Sequence, residues 1–270
     1  MLFKRVITAA IGIPVLIFIM LSNTLYQIPF LLFVITLNIL GHREMIRMFR
    51  LKGIKVSTTY SVISGILLIL LFYGKPGHIP SFAFSVCIVV YAVILLFRNE
   101  YKDFLAQTAF YTFALFYITF LSGHFIALKS AGNGSYYLFM MVLFIWLNDT
   151  FAYFSGALFG KKKLFIKASP KKSYAGLAGG MIFSFFSLFL SEIIVRHRIN
   201  FPLAEKVLIA FLFGLIVTFS DLIESALKRS VGIKDSGTLI PGHGGILDRF
   251  DTWFVTLPLF YYYLKLTGRC

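Results

Sequence analysis

Charge is what this chain of 270 residues has least of: 14% of its residues are charged, and 11 acids stand against 26 Lys and Arg. A soluble domain carries about a quarter charged residues, and a mean hydropathy of +0.85 leaves more apolar surface than one water-soluble core can bury. Soluble, disordered and collagen-like chains are thereby excluded. Cysteine is nearly absent. Cys87 lies in an apolar run and Cys270 is the last residue, so a disulfide framework is excluded and neither thiol suggests a metal or redox pair. Strand-like alternation is missing, which argues against a membrane β-barrel. There is no long linker, low-complexity tract or internal repeat, so residues 1–270 read as a single membrane-embedded domain.

What is present is a series of long apolar runs. A transmembrane helix needs about 20 apolar residues, and nine stretches approach that length: Val6 to Ser22, Leu25 to Leu40, Val56 to Tyr73, Ser81 to Phe97, Phe104 to Leu128, Tyr136 to Phe159, Tyr174 to Val195, Ala204 to Phe219 and Thr252 to Leu266. The fold class expected is an all-α polytopic membrane protein of about nine spans. The first run has no small-x-small cleavage site after Met20 and reads as a retained helix, not a signal peptide. Of the 26 basic residues, 19 fall in alternate connections starting with the amino terminus. The positive-inside rule makes that set cytoplasmic, with the amino terminus inside and the carboxyl terminus outside. In such a chain the +15 net charge points to cytoplasmic loops and anionic headgroups, with no nucleic acid partner. The stretch His42 to Lys55 has two readings, an amphipathic interfacial helix or a basic topology anchor. The aromatic residues, 32 Phe and 14 Tyr, read as lipid-facing bulk, with Trp253 and Tyr261 to Tyr263 as an interfacial belt.

With so few acids, their placement is informative. Asp221, Glu224, Asp235, Asp248 and Asp251 fall within 31 residues near one cytoplasmic connection, and Asp149 lies inside the sixth apolar run. Ionisable groups at membrane depth are costly and point to function. On a helix, Asp221, Ser225 and Lys228 share a face with Glu224 beside them, and Asp248 and Asp251 share another. Gly237, Gly242, Gly244 and Gly245 between them permit close backbone approach, with N–H groups expected to face an anion. Hard oxygen ligands beside Lys and Arg are the ingredients of metal-assisted phosphoryl or nucleotidyl transfer.

The run Ser225 to Asp251 resembles the signature of the CDP-diacylglycerol synthases, or phosphatidate cytidylyltransferases. The fixed positions of that pattern match Ser225, Lys228, Arg229, Lys234, Asp235, His243, Gly244, Gly245, Asp248, Arg249 and Asp251. Two upstream stretches are similar as well: Asp149 to Tyr153 with Gly156, Gly160 and Lys161, and Ser169 to Ser173 with Gly176, Gly179 and Gly180. Tyr174-Ala175 stands where many members carry Trp-Glu, so no acidic role falls there. The resemblance covers the chain from Trp146 onward, which makes residues 136–270 the expected catalytic half and 1–135 the less diagnostic spans.

The resemblance implies attack by a phosphate oxygen of phosphatidic acid on the α-phosphorus of CTP, releasing pyrophosphate and forming CDP-diacylglycerol, with Mg²⁺ and room for a second cation. It implies a homodimer too. An ionised phosphomonoester is already a nucleophile, so no Ser-His or Cys-His device is required and none is visible. The roles that follow are Asp221, Asp248, Asp251 and Asp149 as metal ligands, and Asp248, Asp251, Lys228 and Arg229 at the catalytic centre. Lys171, Lys172, Ser225, His243 and Arg249 would bind substrate. A cytosolic nucleotide and few cysteines fit a bacterial inner membrane, with the active site facing the cytoplasm.

Blander readings stand beside these. Lys161 to Lys163 and Lys171-Lys172 also serve as topology determinants, Asp149 as the partner of a lysine inside the bundle, and Gly176, Gly179 and Gly180 as helix-packing positions. His42, His78, His124 and His197 have no motif around them and read as structural or surface residues. A CTP-dependent lipid kinase would share the cation site but release CDP, and an ion-coupled transporter would use Asp149 at the midplane. Against the transporter, the acids and bases cluster on one side.

Overall fold

The computed structural model describes residues 2–21, 27–74, 77–99, 101–164, 167–239 and 244–270, with side chains from Gly12 onward. The described residues form helices and connecting turns, with one isolated antiparallel bridge, Lys163 to Ser173. In chain order the helices are α1 (Leu2–Leu21), α2 (Ile28–Leu51), α3 (Thr58–Gly74), α4 (His78–Phe97), α5 (Phe104–Ala114), α6 (Leu121–Lys129), α7 (Gly134–Phe159), α8 (Tyr174–Ile194), α9 (Leu203–Ser230) and α10 (Leu247–Leu266). A π-helical segment, Leu115–Phe120, joins α5 to α6. Among the described residues each of the nine expected spans coincides with helix, the fifth shared by α5, the π-helical segment and α6; with Phe104–Lys129 taken as one continuous helix, six are long and apolar enough to cross a bilayer. In hydrocarbon every backbone polar group needs an internal partner, which is why these runs are helical throughout.

Two compact units make up the chain: Met1–Ile13, Asn23–Ala127 and Val231–Phe250 in the first, and Pro14–Ser22, Leu128–Ser230 and Asp251–Cys270 in the second. In unit 1, α2 packs on α3, and α3 and α4 pack on the π-helical segment. Here α2 runs on as one helix to Leu51, and the expected end at Leu40 is overrun. The pattern explains it: Met45, Ile46, Met48 and Phe49 are buried while Arg43, Arg47 and Arg50 are exposed, so one helix carries both the apolar and the basic face. The wide turn of the π-helical segment holds Thr119, whose hydroxyl lies 2.7 Å from both Asn38 Nδ2 and His42 Nε2.

In unit 2, α7 and α8 pack most closely, with α9 against both. Glycines set that approach. A Cβ on Gly176 would come within 2.8 Å of the Ala152 carbonyl, one on Gly180 within 3.0 Å of Asn148, and one on Gly179 would run into Ser155. These three glycines therefore serve helix contact. In α10 one reading is corrected: Trp253 is buried, 3% exposed, so it belongs to the core of unit 2 and not to an interfacial belt.

Candidate active site

Helix α9 continues from its apolar stretch through Asp221 to Ser230, 28 residues or about 42 Å of helix. Asp221, Glu224, Ser225 and Lys228 therefore share one helical face, as their spacing predicts. Lys172 Nζ lies 2.6 Å from Asp221 and donates to the Thr218 carbonyl at 2.9 Å. Lys228 pairs with Glu224 one turn earlier at 2.5 Å. Asp251, in the opening turns of α10, is buried; its Oδ1 accepts from the Thr252 backbone N–H at 2.7 Å. One carboxylate oxygen from each of Asp221, Glu224 and Asp251 lies within 4.8 Å of the others.

That convergence decides what the cluster can do. Carboxylates at this separation repel one another by a few kcal/mol per pair even at an effective dielectric of about 20. Lys172 and Lys228 offset part of the repulsion, and a divalent cation with a preference for hard oxygen donors fits the rest of this donor set. Asp149 lies on α7, exposed, and acts on Asp251 electrostatically together with Asp221 and Lys228.

The loop preceding α8 is built to present Lys172. Ser173 caps α8, accepting from the Gly176 N–H at 3.1 Å. Leu164 N–H donates to the Lys172 carbonyl at 2.9 Å and Tyr174 N–H to the Lys162 carbonyl at 3.2 Å, closing the loop on itself. Lys171 is exposed on it. Elsewhere in unit 2, Ser225 is half-buried and Arg229 exposed. His243 and Gly242 lie outside the described residues.

In unit 1 the glycine-rich loop meets two carboxylates. Asp248 Oδ2 accepts from Ser236 N–H at 2.9 Å and Gly245 N–H at 2.8 Å. Glu44, on α2, accepts from Ile246 N–H at 2.9 Å and Leu247 N–H at 3.0 Å. The Ser236 hydroxyl sits 2.8 Å from Glu44 and 2.9 Å from Asp248 and donates to one of them at a time. The N–H groups expected to face a phosphate at this helix start are thus occupied by the protein's own carboxylates, which complement the helix dipole in the same way an external anion would. The glycines are required for that contact. A Cβ on Gly237 would come within 2.6 Å of Glu44, one on Gly245 would run into Ser236 and Glu44, and Gly244 has φ +85°. Arg249, the next residue on α10, is exposed.

Sequence reasoning gave Glu224 no role and overlooked Glu44. The signal for Glu224 was its place on the Asp221 face. For Glu44 it was a lone acid among the five basic residues from Arg43 to Lys55, half-buried on an amphipathic helix.

A model of the cytidylyltransferase family matches residues 3–267. Among similar proteins, the phosphatidate cytidylyltransferase of Bacillus subtilis is 30% identical over 274 residues, covering 97% of each chain. That of Staphylococcus haemolyticus is 33% identical over 262 residues, covering 94% of this chain and 96% of the relative. That of Staphylococcus aureus strain COL is 32% identical with the same coverage. A match that runs through both units and includes nearly every helix leaves no part of the chain to a different architecture: this polytopic membrane protein belongs to the cytidylyltransferase family and is a nucleotidyltransferase.

Proposed function

We propose that the chain is a phosphatidate cytidylyltransferase, transferring the cytidylyl group of CTP to phosphatidic acid. A phosphate oxygen of the lipid forms a bond to the α-phosphorus, the bond from that phosphorus to the bridging oxygen of the β-phosphate breaks, and pyrophosphate leaves. The observation that carries this reading is the near-complete coverage of relatives bearing that name, at 30% to 33% identity.

The reaction joins two polyanions, so repulsion is the barrier the protein has to lower. Asp221, Glu224 and Asp251 would hold Mg²⁺, with Asp149 next to them in unit 2 as a further ligand or the ligand of a second cation. Bound there, the ion would neutralise phosphate charge and orient the triphosphate. Lys228 and Lys172, already seated on the carboxylates, would exchange those contacts for phosphate oxygens, and Ser225, on the same face, would contribute a hydroxyl. Lys171, Arg229 and Arg249 are exposed cations suited to gathering anionic substrate. We read Asp248 as the anchor of the motif loop, on the strength of its hydrogen bonds from Ser236 and Gly245. His243, from the motif, would orient pyrophosphate. Placement in a cell inner membrane with this site toward the cytoplasm rests on the distribution of basic residues, and a homodimer rests on the family resemblance.

The purified protein, given CTP, phosphatidic acid and Mg²⁺, is expected to form CDP-diacylglycerol and pyrophosphate in equal amounts, and to stop when the metal is chelated. Release of CDP with a phosphorylated lipid would assign it as a kinase instead. Formation of neither product would remove the reading.

A further inference from the structure

Where α2 and α4 end and α5 begins, unit 1 contains a cavity of about 520 Å³ lined by Arg50, Lys55, Ser57, Tyr91, Arg98 and Gln107. Its shape follows from how α2 stops. Gly53 has φ +77°, its N–H donates to the Arg50 carbonyl at 2.9 Å, and the next N–H, of Ile54, donates to the Phe49 carbonyl at 3.1 Å. This is the left-handed glycine termination that reverses a chain at a helix end. The reversal brings Lys55 and Ser57 to the cavity that Arg50 lines, and Gly53 forms part of the wall without a side chain.

Arg98 caps α4 and Tyr91 sits seven residues earlier, about 10 Å deeper along the helix. Tyr91 is 2% and Gln107 4% exposed, whereas Lys55 and Arg98 are exposed. The cavity therefore has a cationic rim and a buried polar floor, and among the described residues no acidic one lines it. The carboxyl ends of α2 and α4 each contribute roughly half a negative charge, which is too little to neutralise Arg50, Lys55 and Arg98. The described lining is therefore cationic, around a volume within the ~300 to 1,000 Å³ of ordinary ligand sites. Below the rim, α4 exposes Val89, Val90, Val93, Leu96 and Phe97, an apolar surface suited to acyl chains.

We propose that this cavity is a phosphate-binding site, built from residues other than those of the carboxylate cluster, that takes the phosphate of an anionic phospholipid headgroup or a free phosphate. Cationic pockets at helix ends next to the headgroup layer recognise lipid phosphates by charge and hydrogen bonds. Arg50, whose Nη2 also donates to the Thr58 hydroxyl at 2.9 Å, and Arg98 carry planar guanidinium forks that match phosphate oxygens, and Ser57, Tyr91 and Gln107 add hydroxyl and amide groups to the lining.

The test is isothermal titration of the full-length protein in an uncharged detergent with dioctanoyl phosphatidylglycerol, dioctanoyl phosphatidylcholine and inorganic phosphate. Phosphatidylglycerol is expected to bind the wild type, and the Lys55→Gln/Arg98→Gln double variant is expected to bind it roughly thirtyfold more weakly, the loss from two cations near a membrane surface. The pair Lys52→Gln/Lys102→Gln removes the same charge from exposed positions that do not line the cavity, and is expected to bind as the wild type does. Phosphatidylglycerol binding with no effect of inorganic phosphate identifies a lipid headgroup site. Competition by inorganic phosphate, lost in the same double variant, identifies a free-phosphate site. Equal phosphatidylglycerol affinity in wild type and the cavity variant, equal losses in both pairs, or equally tight binding of phosphatidylcholine overturns the proposal.

Discussion

The two units use carboxylates in opposite ways. In unit 1, Glu44 and Asp248 are surrounded by donors: Gly245, Ile246 and Leu247 give backbone N–H groups, and Ser236 gives both its N–H and its hydroxyl. In unit 2, Asp221, Glu224 and Asp251 converge on one another, with Lys172 and Lys228 as the cations beside them. Carboxylates supplied with N–H donors stabilise a fold by being ionised. A convergent set of them costs stability unless positive charge offsets the repulsion. The same side chain is thus an anchor in one unit and a member of a repelling cluster in the other, and the difference lies in what faces it.

That contrast makes activity and stability separable. The largest expected effect is on Asp251→Asn, which keeps the Oδ1 acceptor for Thr252 but removes a charge from the cluster. Turnover should fall by more than about a hundredfold, the upper range for disturbing even the outer shell of a metal site. Its thermal unfolding temperature without Mg²⁺ should hold or rise, because repulsion with Asp221 and Glu224 is relieved. Near-normal turnover would take Asp251 out of the cation site. Next comes Glu44→Gln, which sets an amide NH₂ against donors that require an acceptor. A loss of about 2 kcal/mol, the cost of a buried group left unsatisfied, should appear as a lower unfolding temperature in detergent. Gly245→Ala, which crowds the same carboxylate, should lose stability as well. If Glu44→Gln unfolded like wild type while Asp251→Asn unfolded early, the comparison would be reversed. The smallest effects belong to Lys228→Ala and Arg229→Ala, roughly fivefold each in the CTP concentration needed for half-maximal rate, the order of one partly screened charge contact. Normal kinetics in both variants for both substrates would end the idea of a phosphate clamp on this face.

Much of this was legible along the chain. The nine apolar runs, the helical face of Asp221, Glu224, Ser225 and Lys228, and the motif from Ser225 to Asp251 are all local patterns, and their described residues fall on helices or loops much as the spacing predicts. Glu44 was not legible as a partner of Ile246 because 202 residues separate them, and no periodicity reports a contact at that range. The end of α2 was misplaced because apolar content drops at Gly41 while the helical pattern of burial goes on to Phe49. Trp253 reads as an interfacial residue from composition, yet it is buried because the opening turns of α10 are covered in unit 2.

By itself the sequence determined the membrane class, the helices and the chemistry on offer, because hydrophobicity, backbone satisfaction and residue type act over a turn or two of chain. Only the tertiary structure decided which carboxylates meet donors and which meet each other, and that the glycine turn at Gly53 brings Lys55 to a cavity that Arg50 and Arg98 also line. Charge and hydrogen bonding act through space, so the role of a scarce acid or a common base is settled by what the fold places within a few ångströms of it.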